Sequence, residues 1–330
     1  MQFDSYHFEN VTSTMEVIRQ LLPKSKGKTQ ENERGVIVTA GFQREGRGRV
    51  EGRVWRAAPR TAMLATIAIP QGALQGELQD DLQGIPPQSI PVRSQVFPLL
   101  TGLAVHSVLY ETFGTQFARV IDTPSQTRTE QMPRPFLVKW PNDILGFASG
   151  KGTSGVEVPK SIPGSALYGS LSYKKLGGIL CEAIPGWFLA GIGLNLLEGS
   201  YPEELKAKAV CLSEVLEAFY EACNGISRAP EMGISVSPDP AMDLPSYLAC
   251  QIADKIVEEL QNPFWKQQYE ENLWAKGARV SFVVGHPDRG DALTGVVEGI
   301  DQAGCLILAL PNGEKRHFLA GEITSLEVSA

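Results

Sequence analysis

The spacing of apolar residues predicts a chain of short strands mixed with amphipathic helices. Short apolar runs predict strands at 35–40, 61–69, 136–140, 176–183 and 187–196. The segment 97–114 carries its apolar residues on one helical stripe. The segment 246–264 repeats an apolar residue at every fourth position, namely Leu248, Ile252, Ile256 and Leu260. Because strands outnumber helices and are mixed with them, the predicted fold class is α+β.

The pattern changes near residue 277. Four short strand-like runs follow, "ARVSFVV", "ALTGVVEGI", "GCLILAL" and "EKRHFLA", and turn sequences separate them. Asn312-Gly313 is a strong signal for a hairpin turn. These runs predict a small C-terminal β-barrel over 276–330, after a main domain over 1–275.

Four stretches of the main domain lack helical or strand periodicity and are rich in Gly, Pro, Ser or Gln. They are 71–95, 122–135, 146–170 and 224–245. Long segments of this composition inside a compact domain are typical of surface loops or insertions. We therefore expect four insertions in an otherwise regular domain.

Composition excludes several classes of protein. The 330 residues carry a formal net charge of −7, which argues against a general nucleic-acid or anionic-membrane surface. The five cysteines and four histidines are dispersed, which favours reduced thiols and makes a zinc site improbable. The N-terminus lacks a signal-peptide pattern, and no stretch approaches the roughly 20 apolar residues that a membrane span needs. We expect a cytoplasmic protein.

A basic, glycine-rich segment, "GFQREGRGRVEGRVW" (41–55), directly follows the strand predicted at 35–40. Glycines let backbone N–H groups approach a ligand, and arginines offer paired hydrogen bonds to carboxylate or phosphate. The segment therefore indicates a bound anion, although a solvated basic loop explains it equally well. It is neither a Walker loop nor a dinucleotide fingerprint.

Three further motifs place polar groups on or beside buried strands. "KWPND" (139–143) ends one strand, "YKKLGGIL" (173–180) begins another, and "GIGLNL" (191–196) brings an asparagine to the end of a third. Each has a structural explanation when taken alone: a β-turn, a strand-edge lysine that discourages aggregation, and a local strand stop. Their joint presence requires a different explanation.

Taken in order, the motifs resemble those of the biotin protein ligases. The motifs that carry the resemblance are "STM" (13–15), "Q-x-x-GRGR" (43–49), "KWPND", "KLGGIL" (175–180) and "GIGLN" (191–195). The resemblance implies a class II synthetase-like catalytic domain, a mixed β-sheet flanked by helices, with a small SH3-like β-barrel after it. It also implies that biotin and MgATP form biotinyl-5′-AMP, whose acyl group passes to a lysine of a biotin carboxyl carrier domain.

The resemblance assigns roles residue by residue. It implies a biotin site formed by Ser13, Thr14, Gln43, Gly46, Arg47, Gly48, Arg49 and Lys175. It implies contacts to ATP from Arg49, Arg53, Trp55, Asn142 and Asn195, with Mg²⁺ held through the ATP phosphates rather than by a protein metal site. Lys175, Arg49 and Asp143 are the expected catalytic residues, and Asp143 would orient Mg²⁺ or the acceptor lysine. Trp140 is expected to be core packing.

One departure from the family concerns the loop. Val50 and Glu51 stand where the family has a single residue, so the loop is one residue longer and carries an added anion. This puts the placement of Arg53 and Trp55 in question more than that of Arg47 and Arg49.

Alternatives remain open at this point. A lipoate protein ligase would share the fold and the acyl-adenylate chemistry, and a degenerate ligase would bind biotin without turnover. The motif at residue 13 leaves no room for a preceding helix-turn-helix domain, so we expect no DNA binding. The partner implied is the carrier domain of a biotin-dependent carboxylase such as acetyl-CoA carboxylase. A homodimer is also considered, because a strand near 187–196 could pair with a second copy.

Overall fold

A computed structural model of the chain describes residues 1–23, 34–50, 52–72, 89–121, 134–148, 156–157, 172–224, 239, 241–286 and 289–326. The chain divides into two compact units. The first contains Met1–Val108, Gly177–Pro202 and Gly233–Pro263, and the second contains Leu109–Leu176, Glu203–Met232 and Phe264–Ala330.

Strands dominate the described part of the chain. In chain order they are β1 (Phe3–Val11), β2 (Gly35–Gln43), β3 (Gly46–Arg47), β4 (Val54–Trp55), β5 (Ala62–Pro70), β6 (Phe136–Lys139), β7 (Asp143–Ala148), β8 (Val156–Glu157), β9 (Ser172–Ile184), β10 (Trp187–Asn195), β11 (Arg279–Val284), β12 (Ala292–Ile300), β13 (Leu306–Ala309), β14 (Lys315–Phe318) and β15 (Gly321–Leu326). The helices are α1 (Thr14–Leu21), α2 (Ser89–Ile121), α3 (Leu212–Asn224), α4 (Leu244–Gln261) and α5 (Trp265–Glu271).

The first unit is built on a mixed sheet. β1 pairs with β2 in parallel, and the remaining neighbours, in the order β2, β5, β10 and β9, are antiparallel. All nine residues of β5 are buried, as a central strand of continuous apolar sequence requires. Helix α1 lays Met15 and Ile18 onto this sheet, in one apolar cluster with Val38 and Leu189. The sheet thereby holds the start of α1 beside the end of β2 and the middle of β10.

Helix α4 follows the periodicity predicted from the sequence. Asp243 caps its N-terminus by accepting a hydrogen bond from the backbone N–H of Ser246, at 2.9 Å. The buried face includes all four residues of the predicted apolar stripe, Leu248, Ile252, Ile256 and Leu260. The period of the sequence was therefore sufficient to identify this helix and the side that it buries.

The second unit contains a hairpin and a separate antiparallel sheet. β6 and β7 pair in a register that sets Lys139 opposite Asp143, and β7 lies beside β9. The separate sheet has the strand order β14, β13, β12, β11, β15. The predicted turn at Asn312-Gly313 joins β13 to β14, and Gly313 adopts φ +84. The predicted C-terminal run of short strands is therefore confirmed as an antiparallel sheet, with β15 as an additional strand that the sequence pattern missed.

Glu270 connects α5 to this C-terminal sheet. Its carboxylate accepts hydrogen bonds from the ammonium groups of Lys266 (2.7 Å) and Lys276 (2.8 Å), and from the backbone N–H of Ile300 (3.1 Å). Burial by itself raises the pKa of Glu270, but these hydrogen bonds outweigh it and hold the pKa below its usual value.

We expect Glu270→Gln to lower the free energy of unfolding at pH 7 by about 1–3 kcal/mol, because it removes an anion with charged partners. A carboxyl whose pKa is lower in the folded state than in the unfolded state stabilises the fold at pH values above its unfolded pKa. This stabilisation is lost as the pH falls through its folded pKa. Urea titrations should therefore show a smaller difference in the free energy of unfolding between wild type and Glu270→Gln near about pH 3.5 than at pH 7. The matched control is Glu258→Gln, whose exposed carboxylate pairs with Lys255 at 2.8 Å. An equal loss at both pH values would contradict this account.

The predicted α+β class is confirmed, but several boundaries were wrong. The insertion predicted at 71–95 overlaps α2, which begins at Ser89, and that at 146–170 overlaps β7, which continues to Ala148. The insertion predicted at 224–245 overlaps the ends of α3 and α4. In each case a regular element continues into polar or Pro-containing sequence. The other parts of these insertions lie mainly outside the described residues, as does all of 122–135 except its last two residues.

Two further expectations need correction. β10 has β5 on one side and β9 on the other, so it is a central strand without a free edge for a second copy. The prediction that no stretch approaches a membrane span was also wrong, when length and composition alone are considered. Among the described residues, the helical segment Gln95–Gly114 is long enough and apolar enough: an 18-residue window has a mean hydropathy of 1.3, and 72% of that window is buried within the structure.

Candidate functional site

Ser13, Thr14 and Gln43 meet where α1 begins and β2 ends. The Gln43 side-chain oxygen lies 2.8 Å from the backbone nitrogen of Thr14 and 3.1 Å from its hydroxyl. A backbone N–H can only donate, so the atom facing it must be the amide oxygen. The NH₂ group of Gln43 consequently points away from Thr14 and is available to a ligand as a donor.

A second threonine supports this arrangement. Thr66 of β5 is fully buried, and its hydroxyl donates to the hydroxyl of Thr14 at 2.8 Å. The Thr14 hydroxyl is thereby left to donate forward to Gln43. Ser13 is also buried and makes no capping hydrogen bond to α1 with its side chain. The start of α1 therefore carries a row of oriented polar groups on an apolar support.

The GRGR segment forms a very short hairpin. β3 pairs with β4, which sets Gly46 opposite Trp55, and a Cβ at Gly46 would lie 2.7 Å from the Trp55 carbonyl oxygen. The turn closes through a hydrogen bond from the Gly48 N–H to the Arg53 carbonyl, at 2.8 Å. Gly52 adopts φ +82, the left-handed region that favours glycine. The additional residue falls within this turn, so Trp55 keeps its pairing with β3; Glu51 itself lies outside the described residues.

The arginines of this hairpin are exposed. Arg47 donates to the Glu16 carboxylate at 2.7 Å, and its side chain is 62% exposed. Surface ion pairs of this kind contribute about 0–1 kcal/mol, so a ligand anion can replace Glu16 at little cost. Arg49 and Arg53 are likewise exposed. The hairpin thus presents a set of cations that a bound anion can recruit.

Trp55 packs flat against a glycine of β10. A Cβ at Gly193 would lie 2.8–3.1 Å from three atoms of the Trp55 ring, so only glycine permits this contact. The indole Nε1 is buried without a hydrogen-bond partner among the described residues. Asn195, two residues further along β10, is also buried. The end of β10 therefore combines a seated indole with a buried amide.

In the second unit, Lys175 forms an ion pair with Asp143. The ammonium nitrogen lies 2.7 Å from a carboxylate oxygen, with Lys175 40% and Asp143 20% exposed. The Lys175 backbone is held by hydrogen bonds with Lys208 and Val210 (2.9 and 3.0 Å). The neighbouring Lys174 instead donates to the Lys206 carbonyl at 2.9 Å. The strand therefore directs one lysine to the carboxylate and the other away from it.

The KWPND turn combines accessible and buried groups. Asn142 and Asp143 are partly exposed, whereas Trp140 is buried, so the prediction that Trp140 is core packing is confirmed. Tyr269 of α5 lies deep beside the turn. Burial, and then the negative charge of Asp143, raise the pKa of its phenol. The phenol thus stays protonated beside the carboxylate.

Comparison with known proteins agrees with this architecture. Residues 287–324 match the family model described as Biotin protein ligase C terminal domain. A biotin protein ligase from Aquifex aeolicus in complex with biotin and ATP is similar over 99% of each chain, with 20% identity and a TM-score of 0.56. A mutant of the Aquifex aeolicus ligase in complex with biotin is similar over 100% of this chain and 99% of its own, with 20% identity and a TM-score of 0.56. A further structure of the Aquifex aeolicus ligase is similar over 100% of each chain, with 19% identity and a TM-score of 0.53.

The fold is that of the biotin protein ligases. No curated protein sequence matches the chain.

Within this biotin ligase fold, the predicted site residues form two groups. Ser13, Thr14, Gln43, Gly46, Arg47, Gly48, Arg49, Arg53, Trp55 and Asn195 belong to the first unit, and Asn142, Asp143 and Lys175 belong to the second. Sequence reasoning missed Thr66, Gly193 and Tyr269 as neighbours of these residues. The described residues contain no group of three or more His, Cys, Asp or Glu side chains arranged to hold a metal ion.

Proposed function

We propose that this protein is a biotin protein ligase, which activates biotin with MgATP and transfers the biotinyl group to a lysine of a biotin carboxyl carrier domain. The observation that carries the proposal is the match of residues 287–324 to the biotin protein ligase C-terminal domain, in a chain with the fold of these enzymes. The five motifs from residue 13 to residue 195 support it independently.

The first step brings together two anions, the biotin carboxylate and the ATP α-phosphate. Cations must offset their repulsion as the acyl phosphate bond forms and pyrophosphate leaves. Lys175 lies on a rigid strand with its ammonium already oriented by Asp143, which suits it to the reacting carboxylate. Arg47 and Arg49 of the hairpin supply the additional positive charge.

The ureido ring of biotin is neutral and needs oriented hydrogen-bonding groups. Ser13, Thr14 and Gln43 supply them at the start of α1, with Gly46 and Gly48 allowing close approach of the hairpin backbone. The hydrogen bonds between Thr14 and Gln43 are formed before the ligand binds, so little side-chain ordering is needed on binding.

ATP is assigned to the hairpin and the ends of two strands. Arg49, Arg53 and Asn142 contact its phosphates, Trp55 offers a stacking surface to adenine, and Asn195 lies near the nucleotide. Mg²⁺ would enter with the ATP phosphates rather than bind a cluster of protein ligands. When bound, it would offset the negative charge of the phosphates.

In the second step the acceptor lysine, after its ammonium has lost a proton to solvent, attacks the carbonyl carbon of biotinyl-5′-AMP. An amide bond forms, the bond between the carbonyl carbon and the phosphate oxygen breaks, and AMP leaves. Asp143 is a carboxylate at the turn, and we assign it to orient the incoming amine. The carrier domain of a biotin-dependent carboxylase is the acceptor in this proposal. A cytoplasmic location and the absence of DNA and membrane binding belong to the same proposal.

The direct test is pyrophosphate–ATP exchange with purified protein, with biotin or lipoate added in parallel. The reaction requires no acceptor protein. Exchange with biotin alone is the expected result. Exchange with lipoate alone would overturn the substrate and favour a lipoate ligase. Biotin binding without exchange would instead indicate a degenerate binding module.

Gly193→Ala should weaken ATP binding without removing biotin binding, because the new methyl group displaces the Trp55 ring. We expect the KM for ATP to rise about tenfold, the effect of losing one stacking contact. Gly191→Ala is the matched control, since its Cβ meets the flexible end of the Met15 side chain, at 2.9 Å. Steady-state exchange at varied ATP measures both variants. Equal KM values for Gly193→Ala and wild type would exclude Trp55 from the nucleotide site.

A further inference from the structure

Trp140 ties the KWPND turn to the C-terminal sheet. The residue is 2% exposed, and its indole N–H donates to the Gly304 carbonyl at 2.9 Å. The ring packs on Phe282 of β11, with centroids 6.1 Å apart and planes at 44°. This N–H is the one polar group of the indole, so the hydrogen bond fixes the orientation of the ring within the apolar contact.

The acceptor belongs to a rigid turn between β12 and β13. One carboxylate oxygen of Asp301 accepts the backbone N–H groups of Ala303 and Cys305, each at 2.9 Å. The other oxygen lies 2.7 Å from Nδ1 of His317. The Gly304 N–H also donates to the Asp301 carbonyl at 3.0 Å. These hydrogen bonds hold the turn, and therefore the Gly304 carbonyl, in one position.

The strand that leads to Trp140 is held by the same part of the chain. The backbone N–H of Val138 donates to the Asn272 carbonyl (3.0 Å), and the Val138 carbonyl accepts the N–H of Trp274 (2.8 Å). The Lys139 ammonium lies over the Trp274 ring, 5.3 Å from its centroid. These contacts hold the strand up to Lys139, and Trp140 holds the first residue of the turn.

Asp143 follows directly at the other end of this turn. The hairpin register sets it opposite Lys139, and its carboxylate lies 2.7 Å from the Lys175 ammonium. A displacement of about 1 Å at a reacting group can cost as much as 100-fold in rate. A contact that sets the path of the turn therefore also sets the position of Lys175.

We propose that Trp140 is a positioning residue: its indole N–H, held by the Gly304 carbonyl, fixes the turn that presents Asn142 and Asp143 and, through Asp143, the Lys175 ammonium. The effect of this hydrogen bond on catalysis rests on the proposed function. Its effect on the geometry of the Lys175–Asp143 pair does not. The C-terminal sheet acts here on the adenylation site through one hydrogen bond.

Trp140→Phe removes the N–H and retains an aromatic ring. We expect kcat for biotin-dependent exchange to fall about tenfold, with the KM for biotin within twofold of wild type. Phe282→Leu is the control for packing, because it loosens the same apolar contact but leaves the N–H and its acceptor. It should lower the melting temperature at least as much as Trp140→Phe, yet keep kcat within twofold. Equal loss of kcat in both variants would reduce Trp140 to a structural role.

A second readout does not depend on enzyme activity. Acetylation by limiting acetic anhydride, followed by mass spectrometry, measures the labelling of Lys175 relative to Lys174. The Asp143 carboxylate shields the Lys175 ammonium from the reagent, so we expect the ratio to rise severalfold in Trp140→Phe and to stay unchanged in Phe282→Leu. An unchanged ratio in Trp140→Phe would overturn the inference, whether or not the wild-type protein supports exchange. If the wild-type protein shows no exchange but the Lys175-to-Lys174 labelling ratio rises in Trp140→Phe, the proposed function is rejected and the positioning role of Trp140 stands.

Discussion

Lys175→Ala is expected to lower biotin-dependent pyrophosphate–ATP exchange by about 10²–10³-fold, the effect of removing one group that stabilises developing charge in an active site. The ammonium is the cation that β9 directs at Asp143, and in the proposed reaction it offsets the charge of the reacting carboxylate. Its loss also leaves the Asp143 carboxylate without this partner, which adds repulsion towards both substrates. Exchange under saturating ATP and biotin measures the effect.

Lys174→Ala is the matched control. It removes the same charge from the adjacent residue, whose ammonium donates to the Lys206 carbonyl instead. We expect its exchange rate to stay within about threefold of wild type, as for a surface contact of small energy. If both variants lose activity equally, net charge or strand stability explains the effect, and Lys175 has no special role.

Arg49→Gly should release biotinyl-5′-AMP about 10–100-fold faster than wild type, which corresponds to the loss of one hydrogen bond to a charged group. Arg49 lies in the exposed turn of the β3–β4 hairpin, and we expect this turn to close over the adenylate and exclude water from a reactive mixed anhydride. Rapid gel filtration after a single turnover, followed by chromatography of the free fraction, gives the release rate.

The control for this effect is Arg44→Gly, an exposed arginine that precedes the hairpin. It lowers the positive charge of the segment equally but lies before the first glycine of GRGR. Release at the wild-type rate is expected from it. A wild-type release rate in Arg49→Gly would show that the hairpin does not retain the intermediate.

Elements with a continuous apolar pattern were predictable. β2, β5 and β10 are buried on both faces, so their sequences are nearly uninterrupted apolar runs that need no knowledge of neighbours. Gly177 of the KLGGIL motif lies beside β10, where a Cβ would be 2.7 Å from the Gly193 carbonyl oxygen and 2.3 Å from the Leu194 side chain.

Elements at the margin of the sheet were not predictable. β1 has one neighbour, β2, and most of its side chains are exposed or half-buried, so "FDSYHFENV" lacks an apolar alternation. Helix α1 is only eight residues long, too short for its period to stand out. The sheet stabilises both through contacts that are distant in sequence.

The sequence by itself determined the central strands, the helix α4 and the residue types of the site, because burial and catalytic chemistry both restrict which side chains a position accepts. Tertiary structure decided which of these residues meet: Thr66 with Thr14, Trp55 with Gly193, Trp140 with Gly304 and Lys175 rather than Lys174 with Asp143. The physical reason is that hydrogen bonds and ion pairs depend on distances of a few ångströms. Strand register and turn closure set those distances, whereas local propensity does not.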